Sequence, residues 1–163
     1  MRFPPIIGVI GAGHAAPDIL EMAEAVGREI ALAGAWLVCG GLGGVMEAAS
    51  RGAKAAGGFT IGILPGRNRE DASPYIDVPI VTGLGEGRNL LVVYNAQVVI
   101  AVGGEWGTLS EIALARKTGK PVVALHSWAL RFPDGREADV LRAETPADAV
   151  RLALQQISAS DQS

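Results

Sequence analysis

Gly103-Gly104-Glu105-Trp106-Gly107-Thr108-Leu109-Ser110-Glu111 directly follows an apolar strand, Val98-Val99-Ile100-Ala101-Val102, and opens a helix, and this order of residue types describes an anion cradle. Glycines let the backbone approach a ligand closely. The free N–H groups of a helix start together carry about half a positive charge, so phosphate can be held without a lysine. Gly103, Gly104, Gly107 and Thr108 are therefore candidate phosphate-binding residues. Glu111 sits one turn into the helix, beside the anion, where it cannot neutralise it. A ligand with a phosphate and a nearby polar or reactive group accounts for both features. Thr108-x-x-Glu111 also fits a capping box, in which each side chain satisfies a backbone N–H of the other residue. That pattern, however, needs no glycines in front of it.

Two more glycine-rich segments have the same form. Gly40-Gly41-Leu42-Gly43-Gly44-Val45-Met46-Glu47 is a helix start in which close packing on a strand explains one or two glycines but hardly four. Gly40, Gly41, Gly43, Gly44 and Met46 are accordingly candidate pocket residues. Gly11-Ala12-Gly13-His14-Ala15-Ala16 fits the G-x-G-x-x-G/A dinucleotide pattern. At the end of the next strand, where an NAD site carries an acidic residue for the ribose hydroxyls, stand Cys39, Gly40 and Gly41, so NAD is disfavoured. Gly11 and Gly13 either line a ligand or simply allow a tight turn, and His14 either touches a phosphate or is exposed. Arg88, in Glu86-Gly87-Arg88-Asn89, falls in the first turn of a helix if Leu90-Leu91-Val92-Val93-Tyr94 is helical. The helix dipole opposes a cation there by about 0.3–1 kcal/mol. Either a functional contact or an ordinary pairing with Glu86 must hold it.

The elements that carry these residues alternate. Strands are expected at Ile6-Ile7-Gly8-Val9-Ile10, Ala35-Trp36-Leu37-Val38-Cys39, Phe59-Thr60-Ile61-Gly62-Ile63-Leu64 and Pro121-Val122-Val123-Ala124-Leu125, with a short one at Val140-Leu141 after the Pro133-Asp134-Gly135 turn. Helices are expected from Pro17-Asp18 to Gly34, from Val45 to Gly57-Gly58, and from Thr145-Pro146 onwards, Thr145 being the cap. Residues 65–79 read as a long polar loop or mobile flap. Leu90 to Tyr94 fits a buried strand or a buried helix equally well. Strands alternating with helices imply an α/β fold, a single-domain doubly wound parallel sheet that presents all three glycine segments at its carboxyl edge.

The 163 residues, 49% of them hydrophobic, suit one domain over residues 1–163, with fraying expected after Ser158. A net charge of −3 offers no electrostatic footprint for nucleic acid or an acidic membrane. No apolar run reaches the roughly 20 residues that span a bilayer. The lone Cys39 and a start without a signal-peptide core point to the cytoplasm. No metal site is expected.

Gly103-Gly104-x-x-Gly107-Thr108-x-x-Glu111, together with the Gly-Gly-x-x-Gly-x-Met stretch from Gly40 to Met46, resembles the Lonely Guy family of the SLOG superfamily, often mislabelled as lysine decarboxylases. The resemblance runs from Ile6 to Leu125. It implies a Rossmann-like fold, a helix rather than a strand at Leu90 to Tyr94, and homo-oligomerisation. It further implies hydrolysis of the N-glycosidic bond of nucleoside 5′-monophosphates, with Arg88 and Glu111 catalytic. Val102 stands where the family has proline, and Asn89 where the hydrolytic members have lysine, which puts hydrolysis more in doubt than binding. In both departures the chain is more similar to the molybdenum cofactor carrier proteins, whose cargo also bears a phosphate. The readings are therefore a phosphoribohydrolase, a carrier of the molybdenum cofactor with no catalysis, or a nucleotide-sensing module in which Glu111 only caps a helix. None requires a further cofactor; the ligand is a nucleotide or the molybdenum cofactor itself. Lysine decarboxylation is set aside, because it needs an electron-sink cofactor and no lysine here sits in a recognisable pyridoxal phosphate site.

Overall fold

The structure, a computed structural model, describes residues 3–160. Its strands are β1 (Ile6–Ile10), β2 (Trp36–Cys39), β3 (Thr60–Leu64), β4 (Val78–Val81), β5 (Val98–Val102), β6 (Val122–Leu125) and β7 (Leu141–Ala143). They form one seven-stranded sheet, parallel throughout, in the order β4-β3-β2-β1-β5-β6-β7. Every residue of β5 and β6 is buried, which is why these runs are continuously apolar instead of alternating.

The helices are α1 (Pro17–Leu32), α2 (Val45–Ala55), α3 (Arg88–Asn95), α4 (Trp106–Lys117) and α5 (Pro146–Ser160). Strand side chains point alternately to the two faces and build two cores. Ile7, Val9, Leu37, Val98 and Ile100 pack with Val26 and Ile30 of α1, Ala49 of α2 and Ala153 of α5. Ile10, Val38, Ile63, Val99 and Ala101 pack with Val92 and Val93 of α3 and Ile112 of α4. Helices thus cover both faces of a parallel sheet, the doubly wound, Rossmann-like arrangement.

α1 and α2 approach backbone to backbone. A Cβ at Gly27 would fall 1.8 Å from the Ala49 carbonyl oxygen, and one at Gly52 would fall 1.9 Å from that of Glu24. This contact sets where α2 starts, and with it the glycine loop between β2 and α2.

One segment differs from the reading of the sequence. Residues 65–79 are not wholly loop: they hold a one-turn 3-10 helix (Arg69–Asp71), capped by the Asn68 side chain accepting from the Glu70 N–H, and the beginning of β4. β4 escapes recognition because Val78, Ile80 and Val81 are 37–43% exposed and Pro79 interrupts the run. Proline is tolerated there because β4 is an edge strand, with one ladder only. The stretch from Leu90 to Tyr94, open by its own pattern, is helix α3, as the family resemblance implies. Thr145 caps α5 as expected, its Oγ1 accepting from Asp148 N–H at 3.1 Å. That helix runs on through Ala159 and Ser160, where fraying was expected, while residues 161–163 lie outside the described ones. No described helix is long and apolar enough to cross a membrane, and no cluster of three or more potential metal ligands occurs among the described residues.

Candidate functional site

After β4 the chain returns to the middle of the sheet and pairs β5 against β1, so the strand order reverses between β1 and β5. The loops leaving these two strands diverge, and ligands of open α/β sheets bind in the crevice this creates. A cavity of about 450 Å³ lies there, within the range of small-molecule sites, roughly 300–1,000 Å³. Gly11, Gly13 and His14 line it from the loop after β1, Gly40 and Met46 from the turn after β2, and Arg88 from the start of α3. Gly107, Thr108 and Glu111 line it from α4. The structure therefore brings together residues from all four segments singled out in the sequence.

The glycines divide by what their missing side chains make room for. At Gly13 and Gly107 no atom beyond the local chain lies within 4 Å of where a Cβ would stand. Packing does not demand glycine at either place, and both face the cavity, so the space left is open to a ligand. A Cβ at Gly40 would lie 2.6 Å from Met46 Sδ and 2.7 Å from Arg88 Nη1, so this glycine forms the socket of the guanidinium. Gly11 is also a packing residue, since its Cβ would strike Val45 and the Val102 carbonyl. Gly41, Gly43, Gly44, Gly103 and Gly104 do not line the cavity; they fold the loops that frame it. Gly103 and Gly104, with φ of +57° and +124°, turn the chain out of β5 into α4 in a conformation L side chains rarely adopt.

The helices around the cavity start uncapped. Neither α1, α2, α3 nor α4 has a side chain bonded to its first N–H groups, in contrast to α5. α4 begins at Trp106 with Glu105 as its extended cap residue, so Thr108 occupies the third helical position. The capping box allowed by Thr-x-x-Glu does not form: Thr108 Oγ1 is buried and has no hydrogen-bond partner. The first-turn amides of α4 are left available to an anion.

Arg88 is only 9% exposed and Glu111 only 7%. Nη1 of Arg88 donates to Asn89 Oδ1 at 2.5 Å, while its buried Nε has no partner. Among the described residues neither Glu86 nor Glu111 forms an ion pair with it, so the ordinary Glu86–Arg88 pairing is absent. Burial lowers the Arg88 pKa from its ordinary value, against the attraction of the Glu111 charge. Burial also pushes Glu111 up to about 7, against the pull of Arg88. A guanidinium, which stays charged in proteins, thus shares one cavity with a carboxyl that changes charge near neutrality and with an unpartnered hydroxyl. Sequence reasoning did not assign Glu86, Asn89 and Glu105 to the site, although all three line it. Their one signal was adjacency to Arg88 and to the glycine pair. A larger cavity, about 590 Å³, lies between α4 and residues 130–140. Its arginines Arg116, Arg131 and Arg136 are all engaged in ion pairs with Asp139, Glu137 and Asp134.

The class these features define is a Rossmann-like α/β protein with a glycine-lined crevice at the reversal point of its sheet. Within it, the chain belongs to the SLOG cluster4 family, whose model matches residues 4–150. It is similar to the molybdenum cofactor binding protein of Rippkaea orientalis, with 41% identity and a TM-score of 0.87, the match covering 96% of this chain and 99% of that one. The molybdenum cofactor carrier protein of Chlamydomonas reinhardtii is 40% identical with a TM-score of 0.85, over 96% and 99% of the two chains. A cytokinin riboside 5′-monophosphate phosphoribohydrolase of Mycobacterium marinum is 37% identical over 122 residues, 69% of this chain and 65% of that enzyme.

Proposed function

We propose that this protein binds a small phosphorylated ligand with a heterocyclic ring, of the molybdenum cofactor type, and carries it without chemical change. The observation behind this is the pair of buried, unpartnered groups, Thr108 Oγ1 and Arg88 Nε, beside the uncapped start of α4. A buried polar group without a partner costs about 1–3 kcal/mol, and an anionic ligand in the cavity that Thr108 and Arg88 both line would offer each a partner. Likeness to the carriers over nearly their full length supports this cargo. So does Asn89, which accepts from Arg88 where the hydrolytic relatives have lysine. The protein is taken to be a single-domain, cytoplasmic homo-oligomer with neither nucleic acid nor membrane as partner.

A second reading, hydrolysis of a nucleoside 5′-monophosphate to free base and ribose 5-phosphate, is favoured by Glu111, which is buried in the same cavity as Arg88 and has a pKa of about 7. In that role its carboxylate would stabilise positive charge on an oxocarbenium-like ribose or align the attacking water, and Arg88 would orient it or the phosphate.

One experiment separates the two. The purified protein is incubated with AMP and related monophosphates, free base is followed by chromatography with Glu111→Gln as control, and melting is compared with and without molybdopterin or AMP. A rise in Tm with no base release supports the carrier. Base release that disappears in Glu111→Gln replaces the carrier with the enzyme. No Tm change and no base release refutes both.

A further inference from the structure

We propose that Trp106, backed by Trp128, is the platform on which the flat ring of the phosphorylated ligand stacks; this rests on the reading of the cavity given above. Trp106 is 74% exposed, more than any other large apolar side chain described. It is the first residue of α4 and lies between Glu105 and Gly107, which both line the cavity; its own side chain is not part of the lining and stands outside it, next in the chain to both. The chain has 3 tryptophans, and two of them meet here: the Trp106 and Trp128 rings are 5.4 Å apart, centroid to centroid, with planes tilted by 39°. Trp128 donates its Nε1–H to the Glu105 carbonyl at 3.3 Å. One indole is thus tied to the residue just before the other and packs against its ring.

Seating α4 on the sheet does not need Trp106, since buried Ile112 and Ala115 do that. What the indole offers is a supported aromatic face beside the amides that can hold phosphate. Gly107 keeps the adjoining space clear, because nothing beyond the local chain approaches within 4 Å of its Cβ position. A phosphate on the first turn of α4 places the rest of its molecule next to residue 106. Purine and pterin rings both have a π face, so one platform serves the cargo of a carrier and the base of a nucleotide alike. Stacking needs no hydrogen-bond readout, so this contact recognises ring-bearing phosphates as a class.

The test is a titration of wild type, Trp106→Ala and Trp106→Phe with AMP, molybdopterin and inorganic phosphate, following affinity by calorimetry. For whichever ring-bearing ligand wild type binds more tightly, Trp106→Ala is expected to weaken binding about tenfold, as loss of one aromatic–base stack does. Trp106→Phe should retain most of the affinity, and inorganic phosphate should bind all three proteins alike. Equal affinities of wild type and Trp106→Ala for the ring-bearing ligand overturn the platform and leave the phosphate site standing. An altered sedimentation coefficient of Trp106→Ala with unchanged affinity also overturns it, because the indole is then a contact between copies of the chain. Failure of wild type to bind any of the three ligands removes the site reading and the platform with it.

Discussion

Arg88 is a buried cation at a helix start, where dipole and burial both oppose its charge. An anionic ligand, as proposed above, would complete it. Arg88→Met keeps most of the side-chain volume and removes the unpartnered Nε. The variant is expected to gain about 1–3 kcal/mol in denaturant unfolding and to lose phosphate-ligand binding in calorimetry; a loss of both stability and binding would instead make Arg88 structural. Glu111 sets the pH dependence. Its folded pKa of about 7 lies above the usual 4.5, so between these values the folded protein holds a proton that the unfolded chain releases. The stability it contributes is present below pH 4.5 and is lost as pH rises through 7. The span of 2.5 pH units corresponds to about 3 kcal/mol. Glu111→Gln should therefore melt higher than wild type above pH 7, with a Tm flatter in pH between 4.5 and 7, as differential scanning calorimetry can check. These residues were legible as chemistry from their types and spacing, but not in their pairing. Thr-x-x-Glu reads as a capping box until α4 is seen to begin at Trp106, which moves Thr108 inside the helix and frees its hydroxyl.

At the scale of elements, glycine has separate functions that one letter cannot distinguish. Gly27 and Gly52 exist for the approach of α1 to α2, where an added Cβ meets backbone. Gly27→Ala or Gly52→Ala should cost about 3 kcal/mol, the upper end of overpacking, because a carbonyl cannot swing aside as a side chain can. At Gly40 the obstructing atoms are the ends of two flexible side chains, Met46 and Arg88. Gly40→Ala should consequently leave the fold within about 1 kcal/mol of wild type while displacing the guanidinium and weakening ligand binding. Urea titrations of the three variants, paired with calorimetry, test the division. β1, β2, β5 and β6 were readable because burial on both faces gives a nearly unbroken apolar run, and β3 because Ile61, Ile63 and Leu64 carry it between glycines. β4 was not, because an edge strand half in solvent and carrying Pro79 leaves no such run. α3 was undecidable from its own residues: eight residues bounded by a 3-10 turn and a strand hold too few helical turns for the period to show.

For the whole molecule, the sheet gathers at one edge residues separated by up to a hundred positions in the chain, from Gly11 to Glu111. The alternation of strands and helices made that edge foreseeable, since parallel strands joined by helices end on the same side. What the alternation could not give was the order in which the strands lie, and hence that β1 and β5 are the neighbours between which the crevice opens. A ligand held there should register in several distant segments at once. In hydrogen exchange followed by mass spectrometry, saturation with the phosphorylated ligand should slow the amides of residues 11–14, 85–89 and 105–111 together. α5 and residues 130–140, which line the second cavity or lie on neither, should exchange at unchanged rates. The expected global stabilisation at a hundredfold excess over Kd is about 2.7 kcal/mol, and for a chain of this size that raises Tm by roughly 5–10 °C. Slowing confined to residues 130–140 would move the binding site to the second cavity. Slowing at residues 105–111 without 85–89 would leave Arg88 out of it, and its burial would then have to be explained by the fold alone.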